Sequence, residues 1–194
     1  GLRNRRYLFE QVTKEVGAIQ RERAEVQKGT LRDAHELVFI MVDLDWFKPI
    51  NDSCGHAAGD RLLLQVKGIL EKACRSSDVL IRWGGDEFLV VGRSSDMENF
   101  EVVPERIRAM IEQTPFDLGD GQVAHVTCSI GFTAYPSSLK GVERFSLDQV
   151  VGLADQALYA AKRSGRNAWV GLLTTPKTDM LRLSQVVQSD YDAL

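Results

Sequence analysis

Asp43 and Asp45, which close a run of apolar residues, and Asp86 and Glu87, which follow Gly84-Gly85, are the side chains whose types and spacing best suit joint chemistry. In an extended strand residues two apart face the same way, so Asp43 and Asp45 share a face and Leu44 points away. If the two segments are neighbours in one sheet, three or four carboxylates meet at its edge. Their mutual repulsion is relieved by a hard cation, and Mg²⁺, which takes oxygen ligands and completes its shell with substrate phosphates, suits the group. The competing reading of each acid taken singly is a solvated carboxylate at a strand end. Gly84-Gly85 adds backbone that a phosphate can approach closely, or simply makes a tight turn.

The segments that carry these residues alternate between strand and helix periods. Leu37 to Leu44 is continuous, apolar and β-rich, the pattern of a buried central strand. Val79 to Trp83 and Phe88 to Val91 flank the Gly-Gly pair and read as a hairpin. Apolar residues at helical spacing predict helices from Arg6 to about Ala24, after Gly59-Asp60 through Ala73, from Phe100 to Ile111 with Pro104 at its start, and from Leu147 to Ala161. Ser146 and Gln149 form a capping box for the last of these, and Gly165 stops it. Val123 to Ala134 reads as one long strand and Ala168 to Leu173 as a short final one. The fold class is therefore α/β in the mixed, α+β sense. Residues 1–173 form the domain, and 174–194 a linker or tail with a weak helix at Met180 to Val187.

With 194 residues, 44% hydrophobic and 26% charged, the chain suits one globular domain rather than two. Lys and Arg number 24 against 27 Asp and Glu, a net charge of −3, which offers no bulk attraction to nucleic acid. Cys54, Cys74 and Cys128 lack the spacing of a disulfide scaffold or zinc ribbon, so a reducing cytoplasm is expected. The longest apolar run, Leu37 to Val42, is far short of a membrane span. The chain opens on Gly1 rather than Met, which suggests a piece of a longer protein.

Gly84-Gly85-Asp86-Glu87-Phe88 resembles the signature pentapeptide of the GGDEF family, the bacterial diguanylate cyclases. The stretch V-D-L-D-W-F-K-P-I-N-D-S-C-G-H-A-A-G-D from Val42 to Asp60, S-I-G from Ser129, and A-D-Q-A-L-Y-A-A-K-R-S-G-R-N from Ala154 to Asn167 are similar to further family segments in the same order. The resemblance covers about Gly1 to Val170. It implies a central, mostly antiparallel sheet wrapped by helices, like the catalytic core of adenylate cyclases and polymerase palms. It implies an enzyme that condenses two GTP into cyclic di-GMP and two pyrophosphates, by attack of a 3′-hydroxyl on the α-phosphate.

Residue by residue, the resemblance implies that Asp43, the Leu44 carbonyl, Asp86 and Glu87 hold Mg²⁺, with Mn²⁺ as an alternative. Asp86 is also the family's proposed general base, although a metal-bound carboxylate is a poor proton acceptor. Asn51 and Asp60 match the guanine-binding pair, an amide and a carboxylate that complement the guanine edge; without the family they read as a turn residue and a helix cap. Phe47 and Lys48 fall in the substrate-binding segment, Lys48 as a phosphate contact. Lys162 and Arg166 match phosphate-binding cations, and as basic residues at a helix C-terminus they also have a purely structural reading. Arg75-Ser76-Ser77-Asp78 matches the R-x-x-D site where cyclic di-GMP inhibits, with Arg106 as its secondary arginine. Partners implied are GTP, cyclic di-GMP, a second copy for catalysis and an upstream sensory or receiver domain. The rival reading is a catalytically weak module that binds cyclic di-GMP. Trp46, Pro49, Cys54 and Trp83 depart from the usual family residues, the opening D-x-L-T is missing, and none of these departures removes a ligand.

Overall fold

Nine consecutive buried residues, Glu36–Leu44, form β1 at the centre of a five-stranded sheet. The computed structural model of the chain describes residues 5–30, 35–94, 99–135 and 146–173. Along β1 the alternation of side chains sorts the apolar residues into two cores. Val38, Ile40, Val42 and Leu44 join one cluster, and Leu37, Phe39 and Met41 the other. A strand covered on both faces needs apolar residues at every position, which is why its sequence shows no polar alternation.

The elements follow in the order α1 (Arg5–Gln27), β1, α2 (Phe47–Cys54), α3 (His56–Ala73), β2 (Val79–Arg82), β3 (Glu87–Ser94), α4 (Val102–Glu112), β4 (Pro115–Gly119), β5 (Gln122–His125), β6 (Cys128–Ala134), α5 (Leu147–Arg163) and β7 (Trp169–Leu172). The sheet order is β2-β3-β1-β6-β7, with β4 and β5 in a separate hairpin. All pairings in the main sheet are antiparallel except β6 with β7, which is parallel. Residues of α3 and α4 fill the first core, and α1 and α5 the second.

α5 lies directly on β6. A methyl group at Gly131 would fall 2.0 Å from the Leu158 amide nitrogen and 2.1 Å from the Ala154 carbonyl oxygen, so only glycine admits the helix this close. The helix begins as its sequence requires: the Ser146 hydroxyl accepts from the Gln149 amide at 3.2 Å while the Gln149 side chain accepts from the Ser146 amide at 2.8 Å.

Three expectations need correction, and one strand was not foreseen. Val123 to Ala134 is not one strand but two, broken at Val126 and Thr127. There the Thr127 carbonyl accepts from the Asp45 amide at 2.9 Å and its hydroxyl donates to the Asp45 carboxylate at 2.7 Å. β4 goes unread in the sequence because its five residues begin with Pro and end with Gly, both poor strand formers. Asp60 does not cap a helix, since α3 already starts at His56 behind Gly55. Asn51 lies on α2 and not in a turn. The expected tail, including Met180 to Val187, falls outside the described residues.

Candidate active site

At the C-terminal end of β1, strand register sets Asp43 directly opposite Glu87, the first residue of β3. The connection from β2 is tight: the Trp83 amide donates to the Glu87 carbonyl at 2.8 Å, and the Arg82 guanidinium folds back to donate to the carbonyls of Gly84 at 3.3 Å and Gly85 at 2.7 Å. Arg82, unmarked by the sequence reading, thus braces the Gly-Gly turn. The Glu87 carboxylate lies against Gly84, where a Cβ would come within 2.6 Å of it.

Asp43 is on the α5 side of the sheet, in line with Met41, and there Lys162 Nζ lies 2.7 Å from its Oδ2. Burial pushes the Asp43 carboxyl up from its ordinary range; the Lys162 hydrogen bond opposes this and neighbouring Asp86 and Asp45 add to it. Burial likewise raises Glu87, reinforced by Asp43, Asp155 and Asp86. Asp155, on α5, is a further acid of this neighbourhood that the sequence reading did not single out. The carboxylates of Asp43, Asp86 and Glu87 repel one another across a site compensated by one ammonium group. Among the described residues no three acidic, His or Cys side chains are already drawn together as a metal-binding group. The donor set, all hard oxygen with surplus negative charge, nonetheless fits a divalent cation of the Mg²⁺ or Mn²⁺ kind. Leu44, whose carbonyl was expected to contribute, is the last, buried residue of β1.

Asp45 does not join this group. Its carboxylate is buried and spent on the hydroxyls of Thr127 and Ser129, each at 2.7 Å, and on the backbone amide of Asn167 at 3.0 Å. It binds the ends of β1 and β6 to the turn after α5, so Asp45 drops out of the expected group and Asp43, Asp86 and Glu87 remain as its candidates.

Asn51, half-buried on α2, packs against Gly59 of α3, the residue before exposed Asp60. Its amide oxygen occupies the space beside Gly59, where a Cβ would come within 1.9 Å. Lys48 is exposed three residues earlier on α2. Phe47, expected among the substrate contacts, is buried in the core beneath, with its ring 3.1 Å from the same Cβ position. The Arg166 guanidinium lies over the exposed Trp46 ring at 4.4 Å.

At the opposite end of β2, Arg75, Asp78 and Arg106 line a cavity of about 490 Å³ together with Lys72, Val38 and Phe100. The Arg75 amide donates to the Asp78 carboxylate at 2.8 Å, and the Arg75 guanidinium reaches the Arg93 carbonyl at 3.5 Å. Cys74 at its edge has its thiol pushed up to about 11 by burial and by Asp78. No helix among the described residues is long and apolar enough to cross a membrane.

The chain resembles known proteins in sequence and in fold. The family model described as diguanylate cyclase, GGDEF domain, matches residues 1–168. Diguanylate cyclase DgcP of Pseudomonas aeruginosa is 38% identical over 167 residues, covering 86% of this chain, and the chain spans 22% of that protein's length. The GGDEF domain of YfiN from the same organism superposes with a TM-score of 0.72 at 27% identity, covering 96% of this chain and 95% of that one. The GGDEF domain of DgcB from Caulobacter crescentus, in complex with cyclic di-GMP, has a TM-score of 0.68 at 25% identity, covering 88% of this chain and 91% of that one. The chain belongs to the GGDEF domain family.

Proposed function

We propose that this domain is a diguanylate cyclase, joining two GTP molecules into cyclic di-GMP with release of two pyrophosphates. The observation that carries the reading is the pairing of Asp43 and Glu87 across the end of the sheet, beside a braced Gly-Gly turn and a lysine on α5. Asp43, the Leu44 carbonyl, Asp86 and Glu87 are the groups for a divalent cation, which when bound polarises the α-phosphate and favours ionisation of the attacking 3′-hydroxyl. Lys162, Lys48 and Arg166 supply positive charge to the phosphates, and Asn51 and Asp60 pair with the guanine edge. Phe47 supports that pocket from below through Gly59. Each domain holds one GTP, so the bond forms between two copies facing each other around a two-fold axis. A domain upstream of residue 1 would set how often they meet, in keeping with the much greater length of DgcP. The proposed reaction calls for this domain to lie in the cytoplasm, or on the cytoplasmic side of a membrane-anchored protein, where GTP is available.

Purified protein incubated with GTP and Mg²⁺ or Mn²⁺, with products separated by chromatography, tests the reading. Cyclic di-GMP and pyrophosphate in a 1:2 ratio, the stoichiometry of the proposed reaction, is the expected result. The second reading, a module that binds cyclic di-GMP without making it, is favoured by the cavity carrying Arg75, Asp78 and Arg106. It predicts ligand binding in calorimetry with no turnover.

A further inference from the structure

Two arginines at this end of the molecule are used in opposite ways. Arg108 has its guanidinium fully engaged: Nε and Nη2 donate to Glu105 at 2.9 and 2.7 Å, and Nη1 donates to Glu112 at 2.8 Å and to Asn167 at 2.9 Å. Arg166 instead sets its guanidinium carbon 4.4 Å over the centre of the Trp46 ring, and among the described residues no carboxylate pairs with it. The difference matters chemically. A carboxylate grips a guanidinium through its N–H edge and neutralises it, whereas an aromatic ring attracts the cation through its face and leaves the in-plane donors free.

The backbone serves the same contact. Trp46 adopts φ 62°, a left-handed conformation that a bulky residue disfavours, and its side chain is 64% exposed. Neither core packing nor a turn requirement calls for tryptophan there. Arg166 is also left-handed, with φ 64°. The two turns are fastened together by the Asn167 amide, which donates to Asp45 at 3.0 Å. The stacked pair therefore stands just past the C-terminal end of β1, on a framework fixed by the buried Asp45 carboxylate.

We propose that Trp46 is a positioning residue, stacking Arg166 so that its unspent N–H edge is presented to the terminal phosphates of a nucleoside triphosphate. The proposal rests on the reading of this site as one that binds GTP. The ring acts through the arginine, so its effect is confined to ligands long enough to reach it.

The test uses the 194-residue chain, with Mg²⁺ present and calorimetric binding of guanosine 5′-[β,γ-imido]triphosphate and of GMP. Trp46→Leu keeps apolar bulk without the π face, and Trp46→Gly relieves the left-handed backbone, so weaker binding by a variant that melts at least as high as the parent is not misfolding. Both are expected to bind the triphosphate analogue about two- to five-fold more weakly, the size of an exposed cation–π contact, with GMP affinity unchanged. Trp46→Phe is expected to restore most of the loss. In an Arg166→Ala background, Trp46→Gly should cost nothing further. Unchanged triphosphate affinity, an equal loss for GMP, or full additivity with Arg166→Ala overturns the positioning role while leaving the site intact. Failure of the parent protein to bind either nucleotide overturns the site reading itself, and the proposal with it.

Discussion

Asp86 sits in the turn before β3, partly exposed and outside the apolar clusters, so its carboxylate is dispensable for folding but not for the charge balance of the site. Asp86→Ala is expected to abolish cyclic di-GMP synthesis while leaving the melting transition ordinary, and undiminished product from the folded variant would refute a metal-binding role. Asn51→Ala and Asp60→Ala are expected to weaken the preference for GTP over ATP, because each leaves part of the guanine edge unpaired at about 1 to 3 kcal/mol. Competition between the two nucleotides that is unaltered in both variants counts against that pair. These positions stand out in the sequence because they lie in two short segments that resemble the family's motifs. Asp45 looked the same as Asp43 by that criterion. Its role is set by Thr127, Ser129 and Asn167, which stand 82, 84 and 122 residues away, distances at which local patterning carries no information.

At the level of elements, β1 and α5 were readable because each carries its own signal, continuous apolar residues in one and a capping box in the other. The break between β5 and β6 was not, since Val126 and Thr127 have strand-forming side chains and leave the ladder only because Thr127 is taken by Asp45. The tight seat of α5 on β6 was also unreadable, as a lone glycine in a strand says nothing of what approaches it. It has a direct consequence. Gly131→Ala puts a methyl group within 2.0 Å of backbone atoms that no rotamer change can move, so the helix must lift from the sheet. The expected cost is about 1 to 3 kcal/mol, typical of overpacking, measured by denaturant titration. Because α5 carries Lys162, turnover should fall along with stability. An unshifted denaturation midpoint would show that α5 does not rest on β6 in this way.

Across the whole molecule, α1 is tied to the sheet by charge as well as by Val12 and Ile19: Arg93 of β3 pairs with Glu15 and, at 3.1 Å, with Glu22, which also accepts from His35 at 3.1 Å. Burial alone would raise the Glu22 carboxyl, but hydrogen bonds from His35 and the charges of His35 and Arg93 outweigh it and hold it below its ordinary 4.5. A lowered folded value stabilises above the unfolded one and is lost as pH falls through the folded one. Glu22→Gln should therefore lower the melting temperature at neutral pH, with the gap closing below about pH 4.5. A gap that persists in acid would locate the loss elsewhere. The same strand leads to the last expectation, because Arg93 also lines the cavity of Arg75, Asp78 and Arg106. β2 separates that cavity from the Gly-Gly turn by four extended residues, about 13 Å at roughly 3.3 Å each. Along β1 the cavity touches Val38 and Ile40, whereas Asp43 stands at the far end. One nucleotide spanning both places is thereby excluded, so if cyclic di-GMP inhibits from the Arg75 and Asp78 cavity, it acts otherwise than by filling the proposed GTP pocket. A dinucleotide with two bases and two phosphates is suited to bridging two copies and holding their GTP sites apart, with arginines taking its phosphates. Arg75→Ala should abolish cyclic di-GMP binding in calorimetry while basal pyrophosphate release is retained or raised. Tight binding that survives the substitution, or turnover that collapses with it, would mean that the two sites are not independent.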